Sequence, residues 1–300
     1  MKKRNILVIG GTGFIGRHLI KKCLKKSYNI TCISSKKISD KTAFKKVNYL
    51  ICDIRNKKKL QDLLKKKIHY VINLGGYVDH SNKKKTLGSH YYGCKNLVDI
   101  FLNKKIVHFV QLGSGLEHGD IKSPQKESNI CNPKSTYSLA KYMASRYLLK
   151  QHKKNNFPCT VLRLYQAYGP WQKSNRLIPM VIESCLNKEE FPCTSGNQIR
   201  DFLYIDDLIS LILKVLSNKK TFGKIINAGS GKAIKIKNLI KKIKKISGGG
   251  IPKYGKLKMR KDETKNMYPS INTAKNLLNW KPKYSIETGL VKTVNSYREK

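Results

Sequence analysis

Through the first two thirds of the chain, short Val/Ile/Leu-rich runs alternate with lysine-rich segments of helical periodicity. The runs are ILVIG (6–10), NITCIS (29–34), VNYLICD (47–53), YVINLG (70–75), IVHFVQLG (106–113) and TVLRLY (160–165), with segments such as KKLQDLLKKK (58–67) between them. A strand with no polar side must be covered on both faces, and a helix between successive strands makes their pairing parallel. The pattern therefore predicts an α/β protein built on a doubly wound parallel sheet. After about residue 170 the regularity breaks. Residues 176–187 read as a helix, FPCTS and IRDFLYI as strands, 206–216 and 236–246 as helices, and SGGGIPKYG (247–255) as a loop. This part predicts a smaller substrate-binding domain. The boundaries expected are 1–170 plus about 200–228 for the sheet domain, and 171–199 with 229–300 for the smaller one.

The first strand ends in GGTGFIG (10–16), with Gly10, Gly13 and Gly16 three residues apart. Glycine after a strand can be no more than a tight turn, because it accepts positive φ at no steric cost. The spacing adds a reason to expect a dinucleotide. It lets the backbone approach a pyrophosphate and aims the start of the next helix, at Phe14 and Ile15, toward negative charge. That is the signature of a Rossmann sheet, where ligands bind at the carboxyl ends of the strands.

Composition bounds the alternatives. The chain has 300 residues, is 40% apolar, and carries a formal net charge of +44. It is long enough for a large core, and no apolar run approaches a membrane span. Its start is basic, but the apolar run there is short, glycine-broken and followed by Arg17 and His18, unlike a secretory signal. The charge has two readings: a nucleic-acid footprint, or lysine filling solvated positions. The excess is nearly all lysine, dispersed over helix faces and loops, with no basic-aromatic module, which favours the second reading. It can still draw in an anionic substrate. The eight cysteines (23, 32, 52, 94, 131, 159, 185 and 193) include no C-x-x-C pair, so neither a disulfide framework nor a metal site is expected. The expected location is the cytoplasm, with no nucleic-acid or membrane partner.

A second cluster carries chemistry. In STYSLAKY, Tyr137 and Lys141 lie one helical turn apart and share a face. Alone, such a pair arises by chance in many helices. A lysine ammonium beside a phenol, however, stabilises the phenolate and makes tyrosine a usable acid and base. Upstream, QLGSGLEHG sets Ser114 beyond a predicted strand in a glycine-flanked loop, where its hydroxyl can donate to a carbonyl or alkoxide.

The glycine cluster, then Ser114, then Tyr137 and Lys141, resembles the extended short-chain dehydrogenase/reductase family of nucleotide-sugar epimerases, dehydratases and reductases. The resemblance runs nearly end to end: GGTGFIG, CDI (52–54), YSLAK (137–141), LRLYQAYGP (162–170), RDFLYIDDL (200–208) and NWKP (279–282). It implies that Ser114, Tyr137 and Lys141 are catalytic. It implies a nicotinamide dinucleotide held by Gly10, Thr12, Gly13, Phe14, Ile15, Gly16, Asp53, Ile54, Leu74, Gly75 and Gly76, with Tyr137 and Lys141 at the reacting end. Substrate contacts are expected from Ser114, Glu117, His118, Gln166, Arg200 and Arg260. His90 stands where relatives often have asparagine. The Asp206–Asp207 pair is read as an acidic helix start needing no ion.

Two departures choose within the family. The second strand ends Ile33-Ser34-Ser35-Lys36-Lys37, without the acid that usually binds a ribose 2′-hydroxyl. Ser34, Ser35 and Lys36 suit a 2′-phosphate, so NADP(H) is expected over NAD(H). The dehydratases of the family place an Asp-Glu pair after the active-site hydroxyl, and here Gly115-Leu116 stands instead. The expectation is an NADPH-dependent reductase of a nucleotide-diphosphate 4-keto-6-deoxy sugar, in deoxysugar or surface-polysaccharide synthesis. The alternatives are an NAD-dependent nucleotide-sugar 4-epimerase and a non-catalytic NADP(H)- or RNA-binding relative. Relatives commonly dimerise through the Tyr–Lys helix, so a homodimer is expected.

Overall fold

The computed structural model describes residues 3–39, 42–77, 79, 81–259 and 264–299. In chain order the first half holds β1 (Asn5–Ile9), α1 (Phe14–Leu24), β2 (Asn29–Ser34), β3 (Val47–Ile51), α2 (Lys57–Leu63), β4 (Tyr70–Asn73), α3 (Lys83–Leu87), α4 (Gly93–Leu102), β5 (His108–Ser114), α5 (Thr136–Asn155) and β6 (Cys159–Leu164). The second half holds β7 (Gln166–Tyr168), α6 (Leu177–Leu186), β8 (Glu190–Pro192), β9 (Ile199–Tyr204), α7 (Ile205–Leu216), β10 (Lys224–Ala228), β11 (Ala233–Lys235), α8 (Ile236–Ser247), β12 (Ile251–Lys253), β13 (Asn266–Met267), α9 (Asn272–Leu278) and α10 (Ile286–Arg298). A π turn (Gly88–Tyr92) joins α3 to α4, and a 3-10 turn (Gly115–His118) follows β5.

The described residues group into two compact units. The first comprises the chain up to Gly119, Ile130–Arg163 and Ile209–Ile226. Its sheet has seven strands in the order β10-β6-β5-β4-β1-β2-β3. The pairs from β3 through β5 are parallel, with Ile6 opposite Ile30 on one side and Tyr70 on the other. The strand order reverses direction at β1 and β4, which puts the carboxyl end of β1 at the switch point where doubly wound sheets bind ligands. Leu7, Ile9, Ile33, Val71, Phe109 and Val161 form the core beneath that edge, all at most 2% exposed.

The second unit comprises Asp120–Asn129, Leu164–Leu208 and the chain from Asn227 onward. Its small sheet is centred on β9, which pairs in parallel with β7 and β13 and antiparallel with β11. Residues 164–170 and 200–208 thus group here because β7 pairs with β9, and 120–129 because Gln125 exchanges backbone hydrogen bonds with Tyr268 and Ser270. Helices α6, α8 and α10 pack on one another. On α8, Ile236, Leu239, Ile240 and Ile243 face inward and the lysines outward. Asp207 accepts backbone hydrogen bonds from Lys283 (2.9 Å) and Tyr284 (3.0 Å), so this half of the acidic pair secures a turn.

Candidate active site

The turn from β1 into α1 is made by glycine geometry. Gly10 has φ +72°, and its N–H donates to the Ile33 carbonyl at 2.9 Å. At Gly16 the helix touches the turn: a Cβ there would fall 2.4 Å from Gly11 Cα and 2.5 Å from the Gly10 oxygen. Gly13 is the N-cap of α1; no side chain caps the helix and no acid sits in its first turn. The first helical N–H groups have no intrahelical acceptor, and the helix end is electropositive. These residues fit a dinucleotide pyrophosphate.

The expected cofactor residues gather at the carboxyl ends of β1 to β4. Thr12 Oγ1 lies 3.3 Å from Ser34 Oγ, which accepts from Lys36 N–H (3.2 Å) and donates to the Lys36 carbonyl (2.7 Å). Ser35 and Lys36 are exposed beside them. Leu74 N–H donates to the Ile9 carbonyl and Gly75 N–H to Asn73 Oδ1, both at 3.1 Å. Asp53 and Ile54 part company. The Arg55 guanidinium grips Asp53 at 2.6 Å and holds its carboxyl below the usual range. The Ile54 side chain turns into the core at 7% exposure, so only its backbone is left for a ligand.

Ser114 closes β5, and Tyr137 and Lys141 open α5. Ser114 Oγ accepts from Leu116 N–H at 3.2 Å, which leaves its own proton to donate elsewhere. Helix α5 starts at a capping box in which Ser135 and Ser138 serve each other's backbone N–H groups, fixing the first turn on which Tyr137 stands. Lys141 is 4% exposed; its Nζ donates to the Leu112 carbonyl at 2.7 Å and lies 5.9 Å from the centre of the Tyr137 ring. Burial pushes the lysine down to about 8, opposed by the charge of Glu117 and by Cys94.

Glu117 and His118, expected at the substrate, are both 0% exposed, with their polar atoms bonded within the fold. Glu117 Oε1 accepts from Ser114 N–H (2.8 Å), and Oε2 accepts from Ser145 Oγ–H (2.9 Å) and Arg163 Nε–H (3.0 Å). Arg163 also donates to His118 Nε2 at 3.4 Å. In the second unit Gln166 is half-buried in β7. Arg200 is 5% exposed, and its guanidinium donates to the carbonyls of Ile199 (2.8 Å) and Lys265 (3.0 Å), work for the backbone that substrate recognition had not anticipated. Arg260 lies outside the described residues.

Sequence reasoning missed Arg163, Ser145 and the place of His90. An arginine inside an apolar strand was a signal that a buried acid must lie nearby. The His90 ring meets Tyr137 edge to face at 5.0 Å and bonds the Tyr77 carbonyl at 3.0 Å. It sits on the π turn, a kind of helix distortion common at functional sites.

The chain belongs to the NAD dependent epimerase/dehydratase family, whose sequence signature matches residues 6–229. It is 27% identical to CDP-abequose synthase of Salmonella muenchen over 97% of both chains. It is 28% identical to a putative UDP-glucose 4-epimerase of Methanocaldococcus jannaschii, again over 97% of both. Among solved structures it resembles UDP-glucuronic acid 4-epimerase from Bacillus cereus in complex with UDP-glucuronic acid and NAD. That likeness has a TM-score of 0.87 at 26% identity, covering 98% of this chain and 99% of the other.

Proposed function

We propose that the chain is an NADPH-dependent reductase of a nucleotide-linked 4-keto-6-deoxy sugar. The observation that carries this is that β2 ends without an acid: the Ser34 hydroxyl meets Thr12 Oγ1 and the Lys36 backbone N–H, and the Lys36 side chain is exposed beside them. Such groups favour a 2′-phosphate over a bare ribose hydroxyl. The first unit would hold the dinucleotide and the second the nucleotide sugar. The cofactor, when bound, supplies a hydride to the keto carbon. Ser114 donates a hydrogen bond to the carbonyl oxygen as charge develops on it. Tyr137 gives that oxygen its proton, and the Lys141 ammonium favours the phenolate left behind. Gly115 and Leu116 supply no carboxylate to move protons at C5 and C6, which argues against dehydration. Exposed Leu139 on the Tyr–Lys helix and Tyr92 on the π turn packed against it (44% and 50%) support the homodimer in this reading, as does the family resemblance.

A second reading, a nucleotide-sugar 4-epimerase retaining NAD, draws on the same side chains and on the likeness to two 4-epimerases. The two readings differ in redox stoichiometry. The deciding experiment follows nicotinamide absorbance with NADPH and NADH separately, against CDP-, dTDP-, GDP- and UDP-linked 4-keto-6-deoxy sugars. Stoichiometric loss of NADPH with one of them is the expected result. NAD released by denaturing the protein, with no net oxidation, would make it an epimerase. Tyr137→Phe should lower turnover at least ~100-fold, the scale of a lost general acid, with cofactor affinity nearly unchanged. Retained activity would sink the role of Tyr137.

A further inference from the structure

Glu117 is a buried carboxylate that the proposed reaction does not consume, yet it touches each element that carries the reacting side chains. Its Oε1 takes the N–H of Ser114 at the end of β5 (2.8 Å). Its Oε2 takes the hydroxyl of Ser145, one turn beyond Lys141 on α5 (2.9 Å), and Arg163 Nε on β6 (3.0 Å). With both partners of the ion pair at most 3% exposed, solvent screens nothing. We infer that Glu117 is a positioning residue: it fixes Ser114 against the Tyr137–Lys141 helix and supplies Lys141 with a buried counter-charge. This rests on the reading of Ser114, Tyr137 and Lys141 as the reacting set.

The charges around Lys141 decide what Glu117 does. Burial alone would strip the lysine of its proton. Lys141 donates to the Leu112 carbonyl on β5 and shares α5 with Tyr137, whose ring meets His90 on the π turn. Cys94 on α4 is pushed up to about 12 and is a neutral thiol at working pH. Arg163 on β6 pairs with Glu117 and is itself a cation that opposes the ammonium, yet the charge that raises Lys141 is that of Glu117. Glu117 therefore acts as the anion on this lysine, and the loss of its charge would leave Lys141 less able to stay an ammonium.

The test is side-chain nitrogen NMR of the full chain grown with isotopically labelled lysine, with Lys141→Arg assigning the signal. Glu117→Gln should move the Lys141 midpoint down by about one unit. Ser145→Ala, which loses one hydrogen bond and keeps the charge, should leave it in place. If Glu117→Gln does not fold, Glu117→Met with Arg163→Met removes both buried charges and should still lower the midpoint. An unchanged midpoint in the charge-free variants overturns the proposal, whatever the substrate. A lowered midpoint with no keto sugar turned over upholds Glu117 and overturns the reductase instead.

Discussion

The proposed mechanism asks Lys141 to carry charge in a place that punishes it. The lysine is 4% exposed, and burial lowers it from the ordinary lysine value of 10.5 to about 8. The consequences for activity and for stability have opposite signs. In the proposed mechanism turnover uses the ammonium, so it should fall about tenfold per pH unit above a limb near 8. The unfolded chain keeps that proton up to 10.5, so between 8 and 10.5 it binds more protons than the folded one. Stability from this residue should therefore rise with pH across that window, reaching roughly 3 kcal/mol above it. Comparing pH–rate profiles with denaturant melts of the native chain and Lys141→Met checks both. A limb that stays near 8 in a variant lacking the lysine would remove Lys141 from the assignment.

At the scale of elements, local chemistry made most boundaries readable. Helix α5 begins just after its N-cap Ser135, whose hydroxyl serves the Ser138 N–H three residues on, a relation contained within one turn. Helix α1 occupies Phe14–Leu24, where the apolar spacing predicted it, and its close approach to the turn depends on Gly16. Gly16→Ala would press a methyl against backbone that has no flexible end to move. It should cost about 2 kcal/mol in a thermal melt and weaken NADPH binding measured by fluorescence. An alanine variant with native melting and affinity would show that the turn relaxes freely. Strand β9 was readable as a strand, but its parallel partners β7 and β13 were not, since short strands leave no periodic trace of who pairs with whom.

At the scale of the whole molecule, each unit is discontinuous in sequence. The first unit needs residues 209–226 from beyond the smaller sheet's first strands. Buried His108 bonds the Leu216 carbonyl at 3.3 Å, and the Thr160 hydroxyl donates to the Thr221 carbonyl at 2.7 Å. β10 adds the last strand of the large sheet, beside β6. A fragment ending at residue 163 would keep the His108–Thr160 bond (2.8 Å) but lose the Leu216 and Thr221 carbonyls and the strand β10 that covers β6. It should show no cooperative thermal transition by circular dichroism; a sharp melt would mean that the missing segment is dispensable. The net charge of +44 takes no such role in the core, and the described helices include none long and apolar enough to cross a membrane.

The sequence alone determined whatever depends on neighbours within a few residues: the strand runs, the glycine turn at 10–16, and the helix that carries Tyr137 and Lys141 on one face. Tertiary structure decided what depends on distant partners. Glu117, expected at the substrate, has its carboxylate bonded by Arg163, 46 residues away, at zero exposure. Arg200, expected at a substrate phosphate, also engages the Lys265 carbonyl from 65 residues away, a contact invisible to local pattern. Local pattern records which face of an element is apolar. Which polar group a buried charge will meet is set only when chain segments far apart in sequence pack together, because desolvation forces each such charge to find its partner.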